Sequence, residues 1–280
     1  MGGPSAPNRL SAGDARHIAL SVVVPAFDQE HEIEANIREI ERRVADLGVT
    51  YEIVVVSDGS SDGTLEAASR AAGPSVRVTG YPENMGKGHA LCVGSGLARG
   101  RYVAWCDSDL DLDPASLATF LEILRATDAD IVVGSKRHPD SRVAYPRHRR
   151  VASWMFQRLV HALFRLNVRD TQVGMKLLTR PVVDRVLPIV LVKRFAVDLE
   201  VLAVSRALGL DRIVEAPIAL NYQFTASGVN WRAVGRALWD TAAVFYRLRI
   251  RRYYQKQAAG QVMPGPTAGV PETTASERPA

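Results

Sequence analysis

An apolar run, Tyr102-Val103-Ala104-Trp105-Cys106, ends abruptly in aspartates at alternate positions: Asp107, Asp109, Asp111 and Asp113. The run reads as a buried strand, and folding does not place that much negative charge at the end of such a strand without a counter-ion. Like charges a few Å apart repel and raise one another's pKa, unless a divalent cation joins them. Carboxylate oxygens suit Mg²⁺ or Mn²⁺ rather than zinc. A metal held by one or two carboxylates at a strand end usually shares its remaining positions with substrate phosphates.

Two other uses of the same spacing need weighing. A calcium-binding EF-hand loop begins D-x-D-x-D but needs Gly at its sixth position and Glu at its twelfth; this chain has Leu112 and Ala118 there. Asp113 before Pro114 has the form of a helix N-cap followed by Pro in the first turn. Asp107 and Asp109 therefore read as metal ligands and Asp113 as a cap. Asp111 stands between the two roles and is kept as a third candidate ligand.

At 280 residues and 47% hydrophobic content, the chain can bury one large core, or one core plus a small appendage. Its two cysteines, Cys92 and Cys106, make neither a disulfide framework nor a zinc pattern, as expected in a reducing compartment. Residues 1–17 are rich in Gly, Pro, Ser and Ala without the apolar core of a signal peptide. No uncharged apolar run approaches the roughly 18 residues that a membrane span needs. The net charge of +5 is concentrated in two blocks. Residues 136–150 carry Lys136, Arg137, Arg142, Arg147, Arg149 and Arg150 against Asp140 alone, and residues 231–256 carry six arginines and Lys256 against Asp240 alone. Such blocks point to an anionic partner: phosphate, anionic lipid or nucleic acid. Nucleic acid is set aside because no binding motif accompanies the charge.

The first 135 residues alternate strand and helix patterns. Strands are expected at Ile18–Val24, Ile53–Val56, Val76–Thr79, Tyr102–Cys106 and Asp130–Gly134. Helices are expected at Glu30–Leu47, Thr64–Ala72, Gly88–Leu97 and Pro114–Arg125, the first with Ile33, Ile37, Ile40 and Val44 on one face. Repeated units of this length predict an α/β fold, a mostly parallel sheet with helices on both faces. Ligands then bind beyond the carboxyl ends of the strands, where the polar turns fall. The second half predicts helices at His148–Leu166, Val197–Leu208 and Trp231–Tyr254, with an extended segment Ile213–Tyr222.

The first two turns read Val22-Val23-Val24-Pro25-Ala26-Phe27-Asp28-Gln29-Glu30 and Val54-Val55-Val56-Ser57-Asp58-Gly59-Ser60-Ser61-Asp62-Gly63-Thr64. With Asn84-Met85-Gly86-Lys87-Gly88 and the Asp107-Ser108-Asp109 step, they resemble, in order, the family 2 glycosyltransferases of the GT-A fold. Gly134-Ser135-Lys136-Arg137, the 147–150 arginines, Asp170-Thr171-Gln172-Val173-Gly174-Met175-Lys176 and Phe195-Ala196-Val197-Asp198-Leu199-Glu200 look like the branch that makes polyprenyl-phosphate sugars. The D-T-Q-x-G-x-K string is most similar to dolichyl-phosphate glucose synthases, with the mannose synthases next.

The resemblance implies that Pro25, Phe27, Gln29, Val56 and Asp58 surround the nucleoside, Asp58 bonding the base. It implies that Asp107, Ser108 and Asp109 hold metal and diphosphate, that Lys87 and Gln172 join the nucleotide-sugar site, and that Lys136 contacts phosphate. Asp109, Lys136 and Asp198 are then the candidate catalytic residues, and Arg137, Arg147, Arg149 and Arg150 the candidates for an acceptor phosphate. Three positions depart from the pattern. Gln29 replaces a usual Glu, Ser57 replaces the first Asp of the second turn, and Tyr222-Gln223 with Ala226-Ser227-Gly228 replaces a basic Gly-x-Ser-Lys loop.

The chemistry follows from the residue types. A lipid phosphate with a second pKa of about 6 is largely dianionic at neutral pH and needs no general base. A sugar hydroxyl does need one, and Asp198 or Glu200 is then the candidate. Both of these acids, on a helix, are otherwise expected on a solvated face. Arginines suit a phosphate acceptor through bidentate contacts. The final helix, with Trp231, Val234, Leu238, Phe245 and Leu248 beside many arginines, has the composition of an interfacial helix, or of a core helix with a basic solvated face. The expected organisation is a tail (1–17), a GT-A domain (18–228), a basic amphipathic helix (229–256) and a second tail (257–280). The expected function is metal-dependent, inverting transfer of a hexose from UDP-glucose, or next GDP-mannose, to a polyprenyl phosphate by a cytoplasmic protein peripheral on the inner face of the membrane. The alternatives are a soluble family 2 transferase acting on a hydroxyl and a non-catalytic nucleotide-sugar-binding module.

Overall fold

The structure, a computed structural model, describes residues 18–141, 147–192, 196–220 and 231–260, without the side chains of 147–155 and 231–234. The expected tail 1–17, residues 261–280 of the other tail, Arg142, Phe195 and the 222–229 loop lie outside the described residues. The described elements are β1 (Leu20–Ala26), α1 (Ile33–Ala45), β2 (Tyr51–Asp58), α2 (Thr64–Arg70), β3 (Val76–Tyr81), α3 (Lys87–Leu97), β4 (Tyr102–Trp105), α4 (Leu117–Thr127), β5 (Ile131–Ser135) and α5 (Arg147–Phe164). There follow β6 (Lys176–Thr179), α6 (Arg180–Arg185), α7 (Val197–Ala207), β7 (Ile213–Pro217), α8 (Trp231–Phe245), a π-helical segment (Tyr246–Ile250) and α9 (Tyr253–Ala258).

Seven strands form one sheet in the order β3-β2-β1-β4-β6-β5-β7. β1 to β4 run parallel, and so do β5 and β7, while β6 is antiparallel to both neighbours, β4 and β5. The expected α/β class and mostly parallel sheet are therefore observed. Strand alternation sends side chains to two cores. Val22, Val24, Ile53 and Val55 meet Ile33, Ile37, Ile40 and Val44 of α1 and Phe120 of α4 on one face. Val23, Trp105 and Val133 meet Leu91 of α3, Phe164 of α5 and Leu202 of α7 on the other. The helices need little capping because their apolar stripes are buried in these layers.

Two expectations change. β6 was not anticipated: it is only four residues long and opens with a charged residue, Lys176, so no apolar period marks it. The single helix expected at Trp231–Tyr254 is instead α8, the π-helical segment and α9, with Arg252 between them at φ 48°. That left-handed residue ends one helix and turns Tyr254 into the core, where it is fully buried.

All three polar turns lie at one edge, past the carboxyl ends of β1, β2 and β4. Reversal of β6 brings its beginning to the same edge, with Lys176 paired to Trp105 and to Val133. The opposite end of the sheet is knitted by Glu52, whose buried carboxylate accepts from Ser21 Oγ (2.6 Å), the Arg99 backbone N–H (2.6 Å) and the Arg77 guanidinium (2.9 Å). Burial pushes this carboxyl up, but the bonds from Ser21 and Arg99 and the Arg77 charge more than offset it and hold it below its ordinary 4.5. A depressed folded pKa contributes stability that is present above about pH 4.5 and lost as pH falls through the folded value. Glu52→Gln is expected to cost roughly 2 kcal/mol in urea unfolding at neutral pH, with the deficit narrowing steadily in acid. A deficit that does not change with pH would refute this role.

Candidate active site

The turns at the sheet edge are tied to one another before any ligand is considered. Asp28, at φ 48°, accepts from the Ser61 N–H (2.9 Å), and the Gln29 N–H donates to Thr64 Oγ1 (2.7 Å). Glu30 closes the same brace by accepting from the Gly63 N–H (2.8 Å). The third turn joins them: Ser108 Oγ donates to Gln29 Oε1 (2.5 Å) and Asn36 Nδ2 donates to the Ser108 carbonyl (2.8 Å). The departure at Gln29 thus supplies a neutral acceptor for a hydroxyl.

Asp58, at the end of β2, organises the next loop. Its Oδ1 accepts from Tyr81 Oη (2.7 Å) and the Met85 N–H (2.9 Å), and its Oδ2 accepts from the Gly86 N–H (2.9 Å). Gly59 allows this loop to close, since at φ 62° a Cβ there would overlap the backbone of Glu83 and Asn84. Oδ2 keeps acceptor capacity for a ligand.

The result is a cleft of about 550 Å³ between the turns. Pro25, Ala26 and Phe27 line it from β1, Gln29 and Asp58 from the braced turns, Asn84, Gly86 and Lys87 from the start of α3, and Asp107, Ser108 and Asp109 from the acidic turn. Phe27 is 45% exposed, which for a large aromatic leaves a face free to stack.

The electrostatics are organised around two lysines. Lys87 forms an ion pair with Asp107. Burial works against its charge, but Asp107, Asp198 and Asp109 more than offset that and hold the ammonium above its usual range. Lys87 is also the first residue of α3, where the helix dipole disfavours a cation and favours an anion. The cleft therefore presents a helix N-terminus and an ammonium that both call for negative charge, beside two carboxylates that call for positive charge. Behind them Lys176, fully buried, donates to Asp198 Oδ1 (2.6 Å) and to the Val173 carbonyl (2.6 Å). Gly174 lies against Asp107: a Cβ on it would collide with that carboxylate.

Asp107 and Asp109 offer the oxygen-only donor set that Mg²⁺ or Mn²⁺ takes, and the Lys87 ammonium against Asp107 marks a place where positive charge is accommodated. Their residue types fit such an ion. Among the described residues no three acidic, His or Cys side chains come together as a ready metal cage. Asp111 is half-buried, and burial followed by Asp109 pushes its carboxyl up, against the opposing pull of Lys136. Asp109 is exposed and accepts from the Asp111 N–H (3.0 Å), and Leu110 between them is held at φ 58°. Asp113 caps the following 3₁₀ turn through the Ala115 N–H (3.0 Å), as its place before Pro114 indicates.

The family model for Glycosyl transferase family 2 matches residues 21–187. The chain belongs to this family. A dolichyl-phosphate beta-glucosyltransferase of Drosophila melanogaster is 32% identical over 71% of this chain and 66% of its own length. Glycosyltransferase AglD of Haloferax volcanii is 31% identical over 78% of this chain and 35% of its own. The chain therefore spans two thirds or less of these two relatives. Glucosyl-3-phosphoglycerate synthase of Mycobacterium tuberculosis, crystallised with Mn²⁺, UDP-glucose and phosphoglyceric acid, superposes with a TM-score of 0.61 at 21% identity, covering 85% of this chain and 83% of that one. That likeness establishes the GT-A fold.

Not every residue read from the family 2 resemblance lines the cleft. Val56 is fully buried on the face of β2 that packs against Ala90. Gln172 is exposed, with its backbone N–H held by Asp170 Oδ1 (3.2 Å). Asp198 and Glu200, expected on a solvated face, are both buried. Val197 through Ser205 of α7 are all buried, so a helical position there says nothing of exposure. Asp198 is engaged by Lys176, and Glu200 accepts from the Leu191 (3.1 Å) and Val192 (2.7 Å) N–H groups and from Tyr254 Oη. Lys136 and Arg137 are half-buried past β5, where the Lys136 backbone N–H and its charge both act on buried Asp170, whose carboxyl burial pushes up. Arg147, Arg149 and Arg150 fall in the first turn of α5, where side chains lie outside the described residues.

Residue-type reasoning passed over Lys176, Asn84 and Gly86. The signal for the last two was already present in Asn84-Met85-Gly86-Lys87-Gly88. For Lys176 it was the charge at the end of the D-T-Q-x-G-x-K string. Lys176→Met should strand a buried carboxylate and cost about 3–5 kcal/mol, whereas Lys176→Met with Asp198→Leu should recover most of that loss. Chemical denaturation of both variants checks this; equal loss in the two would show that the pair is not coupled.

Proposed function

We propose that this protein transfers a hexose from a nucleotide-diphosphate sugar, UDP-glucose before GDP-mannose, to a polyprenyl phosphate at a membrane surface, with Mg²⁺ or Mn²⁺. The observation that carries the reading is the state of the two acids that a hydroxyl acceptor would need. Asp198 is bound to Lys176, and Glu200 is bound to Tyr254 and two backbone N–H groups. Neither is a free base facing the cleft. A dianionic phosphate acceptor needs none. Relatives named as dolichyl-phosphate glucosyltransferases support the same acceptor class and favour glucose.

Asp107 and Asp109 would hold the divalent cation, which when bound supplies positive charge beside the leaving diphosphate. Lys87 leaves its pairing with Asp107 and contacts the donor's phosphates, reinforced by the N-terminus of α3. Phe27 and Asp58 hold the nucleoside. Lys136 and Arg137 contribute fixed positive charge on the sheet side, and Arg147, Arg149 and Arg150 take the acceptor phosphate. Inversion follows from direct attack of the phosphate oxygen on the anomeric carbon: the new C–O bond forms as the bond to the diphosphate breaks.

The test is incubation with labelled UDP-glucose or GDP-mannose, Mn²⁺ and polyprenyl phosphate. Chloroform-extractable label is expected from UDP-glucose; label found only in water-soluble product sinks the acceptor assignment. Asp109→Ala should lower transfer by roughly two orders of magnitude or more with an unchanged thermal melt. Parental rates in that variant or in EDTA would remove the metal assignment. Lys87→Met should weaken donor binding as read by calorimetry, and an unchanged affinity would contradict its phosphate contact.

A further inference from the structure

We infer that the outward face of α8 and the π-helical segment is a docking surface for an anionic lipid bilayer. This part of the chain carries two apolar faces. One is occupied: Val244, Leu248 and Tyr254 are buried in the same core as Phe164 and Leu202. The other faces away from the protein. Trp239 is 77% exposed, Ile250 65%, Tyr246 50% and Leu238 44%. Trp239, Tyr246 and Ile250 follow one another at spacings of seven and four, which aligns them along one side of a helix, opposite Val244 and Leu248.

Single exposed apolar residues are ordinary, but three large ones aligned on one helix face, with exposed Leu238 at its flank, mark an interaction site. Their identities and surroundings select the partner. Trp and Tyr have an apolar body with a polar tip and settle at membrane–water interfaces. Around them Arg236, Arg249, Arg251, Arg252 and Lys256 are all exposed, and Asp240 is the only acid between residues 235 and 260. A protein partner of ordinary composition does not need five cations around an aromatic stripe; a surface of anionic headgroups does. No described helix is long and apolar enough to cross a membrane, so the stripe lies along the surface.

The back of this surface is fixed to the catalytic domain. Tyr254 Oη donates to the buried Glu200, and Arg247 pairs with the same carboxylate (3.7 Å) instead of facing outward. Glu200 belongs to α7, two residues from Asp198. The docking face is therefore held in a set orientation relative to the cleft, which is what delivery of a lipid-borne acceptor requires. The inference deepens the proposed acceptor class, and its test is made without donor or acceptor so that the two stand or fall separately.

The full chain is sedimented with vesicles of phosphatidylcholine alone and with vesicles containing about 30 mol% phosphatidylglycerol. Binding is expected only to the anionic vesicles and to weaken with salt. Trp239→Ser with Ile250→Ser should reduce the partition coefficient about tenfold or more with an unchanged melting temperature, since both side chains are exposed. Arg249→Gln, Arg251→Gln and Arg252→Gln together should reduce it and remove most of the salt dependence. Equal sedimentation of parent and the Trp239/Ile250 variant overturns the proposal. So does a parent dimer in light scattering that Trp239→Ser converts to monomer, because a second copy would then be the occupant. A parent that ignores anionic vesicles yet transfers label to polyprenyl phosphate in detergent overturns the surface alone. A parent that binds vesicles but labels only water-soluble acceptors overturns the acceptor class alone.

Discussion

The buried pair between Lys176 and Asp198 is the interaction on which the working edge of this protein depends. Lys176 opens β6, the one antiparallel strand among the described residues of the sheet, opposite Trp105, immediately before the acidic turn. It has no exposure, so its charge must be met inside the protein, and the acid that meets it comes from α7. That requirement fixes three elements relative to one another: β6, β4 beside it, and the helix behind them. Gly174 then falls directly against Asp107, where only a residue without a side chain fits. The alternation of charge continues outward to the ion pair of Lys87 and Asp107, which lines the cleft.

A second constraint is the bracing of the turns. Each strand of the parallel half ends in a polar segment that would be a loose loop alone. Asp28, Gln29, Glu30, Asp62 and Thr64 satisfy one another's backbone and side-chain groups across two turns, and Ser108 and Asn36 extend that network to the third. Residues that read as ligand contacts or turn formers in the sequence are thus also the reason the cleft keeps its shape. Most of the hydrogen-bonding capacity of Asp58 holds residues 81–86 in place, and Asp58 also lines the cleft.

The C-terminal helices show why composition alone left two readings open. An apolar and basic helix fits either a core or an interface, and here one side is buried in the core while the other is exposed. Val244 and Leu248 face Phe164 and Leu202, while Trp239, Tyr246 and Ile250 face away. The left-handed Arg252 and the bond from Tyr254 to Glu200 decide which side is which. Neither is visible in a hydrophobic period.

Local pattern was enough to determine the strand–helix alternation, the apolar face of α1, the cap at Asp113 and the turns that carry Asp58, Lys87, Asp107 and Asp109. Each of these rests on residues within a few positions of one another, so spacing and side-chain type suffice. Only the tertiary structure decided that β6 runs backwards between β4 and β5, that Val56 belongs to the core and Gln172 to the surface, and that Asp198 and Glu200 are buried and engaged. Those outcomes depend on partners far apart in the chain: Lys176 with Asp198, Gly174 with Asp107, Glu200 with Tyr254. A charged residue on a helix reads as solvated until a distant element covers it. Its role then follows from the partner that removes the cost of burying it.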